Sequence, residues 1–179
     1  MFIGLQTLEL RSVRFDLDVP AGEIDYDDKV SQSSLLHAQG TAQLLSAALG
    51  EIRVRGKLSV MVAAPCDRCL EPARAKIESD FDLIYMPAAE MLGGGEEEVA
   101  ADAIEVGFYE GNGIELNDVL REVVLLALPM QLICDEDCKG ICPACGQNRN
   151  QVDCGCHPQA VDDRWNKLKL LRTEISFRN

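Results

Sequence analysis

Six of the eight cysteines of this chain fall in one short stretch, Cys134-Asp-Glu-Asp-Cys138-Lys-Gly-Ile-Cys142-Pro-Ala-Cys145-Gly146 followed by Cys154-Gly-Cys156. The other two form Cys66-Asp-Arg-Cys69. A Cys-x-x-Cys turn lets two sulfurs converge on one ion while nearby backbone N–H groups donate to the thiolates. The residue after the second cysteine often needs φ > 0, which Gly146 supplies at little cost. Cys154 and Cys156 stand at i and i+2, so in an extended segment they point to one side and share an ion. The Cys66 pair lacks a trailing glycine and cannot close a four-ligand site alone. Eight sulfurs suffice for two tetrahedral sites, so the spacing implies one or two zinc ions. One partition places Cys142, Cys145, Cys154 and Cys156 on one ion and Cys66, Cys69, Cys134 and Cys138 on the other. A second places Cys134, Cys138, Cys142 and Cys145 together and leaves the rest. The competing chemistry is a dithiol switch. The familiar redox pair opens a helix after a strand, and neither pair here shows that context clearly.

Other chemistry is thin. His37 lies on the polar face of a strand pattern, and His157 beside Cys156 reads as a surface residue rather than a ligand. No Gly-rich phosphate loop, nucleophile elbow or His-based triad occurs, so no enzymatic activity and no small-molecule substrate are expected. Met1 to Ser12 carries no basic leader, and no apolar run reaches the length of a membrane span. The expected location is the cytoplasm, without membrane association. In that reducing compartment the thiols favour metal over disulfides. The formal net charge is -13, and each tetrathiolate zinc site would add about -2 more. Such a chain has no general basic face for nucleic acid. An RNA contact therefore needs a local patch or a partner protein. The candidate patches are Arg53, Arg55 and Lys57 on one strand face, and the C-terminal Arg164, Lys167, Lys169 and Arg172.

These side chains need a scaffold, and the first half of the chain reads as β. From Glu51 to Val62, apolar Ile52, Val54, Leu58, Val60 and Val62 alternate with Arg53, Arg55 and Lys57, as in a half-buried strand. Ile77 to Tyr85, Val13 to Val19 and Leu36 to Leu44 alternate likewise, although Ala42 to Leu49 also suits a helical turn. Pro87, Gly93 to Gly95 and Glu96 to Glu98 mark residues 89–102 as an acidic, Gly-rich loop. A short strand over Ile104 to Tyr109 follows. Asn117 then caps a helix to about Leu128, with Val119, Leu120, Val123, Val124 and Ala127 as its apolar face. A last helix is expected from about Asp162 to Arg172. The implied class is α+β. A β-rich region over 1–88, an antiparallel sheet or small barrel, precedes a helix and a cysteine-rich zinc module over 103–179.

The two cysteine blocks and their order resemble the YceD family. The likeness rests on Cys66-Asp-Arg-Cys69-Leu-Glu-Pro72, then Leu-Ala-Leu-Pro129, then the Cys134 to Gly146 block, and covers about Leu35 to Leu171. Arg149 departs from it, standing where the family usually has an apolar residue. The family is associated with accumulation of large-subunit ribosomal RNA in bacteria and chloroplasts. The resemblance thus implies a non-enzymatic ribosome biogenesis factor acting on 23S rRNA, with a large-subunit rRNA precursor or ribosomal protein as partner and zinc in a structural role. The rival readings are a zinc-stabilised protein-binding adaptor unrelated to ribosomes, and a thiol redox or metal-delivery protein.

Overall fold

The computed structural model describes residues 1–26, 29–88 and 106–156. The elements run β1 (Phe2–Gly4), α1 (Leu5–Leu10), β2 (Val13–Val19), β3 (Ser31–Gln32), β4 (Leu36–Ser46), β5 (Glu51–Pro65), β6 (Pro72–Pro87), β7 (Val106–Tyr109), β8 (Gly113–Glu115) and α2 (Leu116–Leu126). They form two compact units. Met1–Asp67 with Glu71–Glu136 make the first, and Arg68–Leu70 with the chain from Asp137 make the second.

The first unit is built on a six-stranded sheet in the order β2-β4-β5-β6-β7, with β3 also paired to β5. Its long ladders are antiparallel, as the hairpin-like spacing of the alternating runs requires. The pairings among the strands of residues 1–88 are all antiparallel, as expected for that region, whereas the later β7 runs parallel to β6. The 18 residues between Pro87 and Val106 exceed a tight turn, and a parallel pairing needs a connection of that length. A barrel is not formed, since among the described residues no pairing joins β7 back to β2. β1 and β8 make a separate two-stranded sheet.

The strand faces follow the alternation. Ile52, Val54, Leu58, Val60 and Val62 of β5 are buried, as are Ile77, Phe81, Leu83 and Tyr85 of β6. On the opposite face, cross-strand charge pairs form. Arg53 binds Asp82 through two hydrogen bonds, at 2.7 Å from Nε and 2.5 Å from Nη2, and Lys57 lies 3.3 Å from Asp80. The Arg53 guanidinium holds the Asp82 carboxyl below its usual range. Segment 42–49 resolves as strand through Ser46, with an irregularity between Leu44 and Ser46, and then a turn.

α2 starts one residue before the expected cap. Glu115 is its N-cap, without a side-chain capping bond, and Asn117 lies inside the first turn. Leu116, Val119, Leu120, Val123 and Val124 are buried in the same core as the sheet. Each contributes about 1.5–3 kcal/mol relative to exposure. The Tyr85 hydroxyl donates to Glu122 at 2.7 Å and Arg121 donates to the Tyr26 carbonyl at 2.9 Å, which fixes the rotation of the helix. The expected loop over 89–102 and the helix over 162–172 lie outside the described residues.

Candidate metal centres

β5 ends at Pro65 and β6 begins at Pro72, so the turn between them carries Cys66 to Leu70. The Cys66 N–H donates to the Glu71 carbonyl at 2.7 Å, closing that turn. The second Cys-x-x-Cys turn repeats the pattern at the same spacing: the Cys142 N–H donates to the Gln147 carbonyl at 2.8 Å. Gly146 takes φ +75° after Cys145, and Leu70 takes φ +63° after Cys69. The missing glycine of the first turn therefore does not change its shape. Leucine adopts the left-handed conformation instead, at a cost of roughly 1–2 kcal/mol.

Hydrogen bonds around the sulfurs are specific. The Cys134 N–H points at Cys66 Sγ at 3.4 Å, and Asn150 Nδ2 donates to Cys138 Sγ at 3.2 Å. Asn150 also accepts from the Lys139 N–H at 2.7 Å. Asp67 exchanges two bonds with Leu132, accepting its N–H at 2.6 Å and donating its own to the Leu132 carbonyl at 2.9 Å. Arg68 donates to the Cys138 carbonyl at 3.1 Å, and its own carbonyl accepts from Ile141 at 2.9 Å. Asn150, Asp67 and Arg68 were not singled out from sequence. Their only signal is position beside or between cysteines. Arg149 is exposed and uses its backbone N–H on the Gly140 carbonyl at 2.9 Å, so an apolar side chain there is not required for packing.

These turns bring the eight sulfurs into two sets of four, Cys66, Cys69, Cys134 and Cys138 in one, and Cys142, Cys145, Cys154 and Cys156 in the other. Within each set all sulfurs lie within 4.8 Å of one another. A tetrahedron with Zn–S bonds of about 2.3 Å needs sulfurs roughly 3.8 Å apart, so both sets fit one four-coordinate ion. The grouping is that of the first partition above. Cys154 and Cys156 do not converge through an extended segment, since Gly155 takes φ +60° and folds the backbone between them. The eight cysteines form no disulfide. Neither Cys-x-x-Cys turn opens a helix, because among the described residues the helices are α1 and α2.

The electrostatics of the second set favour a cation. N–H groups of Cys145 and Ala144 pull the Cys142 thiol down to about 6. Hydrogen bonds with Cys145 and Cys154 push the Cys156 thiol up to about 12. One thiolate forms readily while Cys145 and Cys156 resist ionising, so a full set of thiolates is favoured by a metal ion. A soft, all-sulfur tetrahedral donor set is that of zinc or iron–sulfur chemistry.

Of the candidate RNA contacts, Arg53 and Lys57 are held by Asp82 and Asp80. Arg55 forms no ion pair within 4 Å among the described residues; the strand register aligns it with Thr41 and Arg14 on one side and with Asp82 on the other. His37 is exposed beside Asp18 at 2.9 Å and Asp16 at 3.8 Å. His157, Arg164, Lys167, Lys169 and Arg172 lie outside the described residues.

A family model described as large ribosomal RNA subunit accumulation protein YceD matches residues 54–172, a span that holds all eight cysteines. The chain belongs to the YceD family. Among curated YceD relatives is an Arabidopsis thaliana protein named large ribosomal RNA subunit accumulation protein YCED homolog 1, chloroplastic. It is 26% identical over 155 residues, which cover 70% of this chain and 46% of that one. Its Zea mays counterpart is 25% identical over 135 residues, covering 63% and 46%. A Mycobacterium tuberculosis protein is 30% identical over 118 residues, covering 65% and 54%. The chain thus spans about half the length of these relatives. No solved structure matches it. Among the described residues, no helix is long and apolar enough to cross a membrane.

Proposed function

We propose that this YceD protein is a non-enzymatic ribosome biogenesis factor that promotes accumulation of large-subunit 23S rRNA, with a structural zinc ion in each sulfur tetrad. The observation that carries the reading is the pair of complete four-sulfur sets inside the segment matched by the family. Four protein ligands per ion leave no open position for a water or substrate, which is the pattern of structural rather than catalytic zinc. When bound, zinc supplies folding free energy by neutralising the crowded thiolates. Asn150 and the Cys134 N–H orient and stabilise individual sulfurs. A direct RNA contact would use Arg55 with Arg14, together with the basic C-terminal residues, because Arg53 and Lys57 are already paired with Asp82 and Asp80.

The test is a tagged pull-down from growing cells under gentle salt, with sequencing of bound RNA. Enrichment of large-subunit rRNA precursors is expected. Recovery of neither rRNA nor ribosomal protein would sink the ribosomal reading and favour a zinc-stabilised adaptor.

A further inference from the structure

A groove of about 330 Å³ opens on the first unit beside β7 and α2. Phe15 and Phe81 are buried in the sheet core, whereas Phe2 is 56% exposed and Phe108 47% exposed, and both of these line the groove with Val119. Aromatic side chains kept in water at one place mark a contact surface. The rim is acidic: Glu110, Glu115, Asp118 and Glu122 line it, with no lysine or arginine among them.

Two rim carboxylates are partly engaged. Glu115 lies 3.3 Å from the Met1 amino group, and Glu122 accepts the Tyr85 hydroxyl at 2.7 Å. Glu110 and Asp118 have no ion-pair partner among the described residues. Asp118 and Glu122 are i, i+4 neighbours on α2, where like charges repel. The helix dipole offsets this for Asp118 in the first turn but not for Glu122. A cation placed between them would relieve that repulsion.

We propose that this groove docks an extended, basic peptide segment of a protein partner. Its lysine or arginine heads meet the rim carboxylates, while apolar side chains, aliphatic stems or guanidinium planes cover Phe2 and Phe108. RNA does not suit the site, because a phosphate there faces four carboxylates. The proposal names a partner class for the ribosomal reading. It rests on that reading only for which basic proteins the partner is drawn from.

The test uses the full, zinc-loaded chain and two labelled synthetic peptides, one alternating arginine with leucine and one oligolysine of equal charge. Fluorescence anisotropy is expected to show the arginine–leucine peptide binding at least about tenfold more tightly. That affinity should fall by about tenfold or more in Phe108→Ala and in the double variant Glu110→Gln/Asp118→Asn, and hold in Asp80→Asn on the sheet's outer face. Amide NMR shifts should centre on β7 and α2. Equal affinity for both peptides, or for all variants, would reduce the effect to diffuse charge and overturn the proposal. A Phe108-dependent dimer in sedimentation, or RNA binding at the same amides, would overturn it in favour of those occupants. A failed rRNA pull-down alone leaves this result unaffected, so the two readings fail separately.

Discussion

Leu70 is the residue where chemistry and backbone most visibly conflict. It holds φ +63° at the position that Gly146 fills in the matching turn, and the residue is 65% exposed. Its leucine identity therefore gains little from burial and carries left-handed strain. Replacing it by glycine removes a penalty of roughly 1–2 kcal/mol and adds unfolded-state entropy of roughly 0.5–1 kcal/mol. Leu70→Gly should therefore stabilise the metal-loaded protein by up to about 1 kcal/mol, read as a small rise in melting temperature. A drop in melting temperature would mean that the leucine side chain makes contacts its exposure does not suggest. The same reasoning identifies Asn150 as a tuning residue, since it touches a sulfur that the cysteine spacing alone does not orient.

At the scale of elements, the core sheet depends on one row across four strands. Phe15, Gly40, Gly56 and Phe81 are register neighbours on β2, β4, β5 and β6. The glycines leave room on the core face, and the two rings fill it. A Cβ added at Gly40 would overlap the Arg55 carbonyl oxygen and sit 2.6 Å from Phe15 Cζ and 2.9 Å from Gly56 Cα. The backbone atoms cannot yield as a side-chain tip can. Gly40→Ala should cost about 2–3 kcal/mol in denaturant unfolding, whereas exposed-face Thr41→Ala should stay within about 0.5 kcal/mol. Equal costs for the two would contradict the packing row. The alternation that placed Gly40 on the apolar face was legible in sequence, as were β2, β4, β5, β6 and the buried stripe of α2. Period-two and helical patterns survive because each strand or helix buries one face. The parallel direction of β7 was not legible, because pattern records faces and not strand direction. β1, β3, β8 and α1 are too short to build a readable period, and α1 buries only Leu8. The cysteines stood out in sequence, but the left-handed turns at Leu70 and Gly155 and the asparagine donor depend on backbone paths that spacing does not encode.

The whole molecule combines two ways of holding a fold. The first unit has a continuous core running from Ile3 to Val124. In the second, the buried side chains among the described residues are Cys69, Cys138 and Cys142. Three thiols bury too little apolar surface to order residues 137–156 against their chain entropy, so on the proposed function ligation supplies the stability of that segment. A structural zinc ion supplies on the order of 10–16 kcal/mol in small zinc folds. Chelation under reducing conditions should therefore separate the two regimes. Amides of Cys142, Arg149, Gln151 and Val152, which donate within this segment, should lose protection from hydrogen exchange. Amides of the β5–β6 ladder should keep theirs, because Val54, Val60 and Val62 stay buried without any metal. Retained protection over 137–156 after complete metal removal would show that ligation does not hold this segment. Simultaneous loss along β5 and β6 would show instead that the apolar core is not self-sufficient, and that metal and sheet fold as one cooperative system.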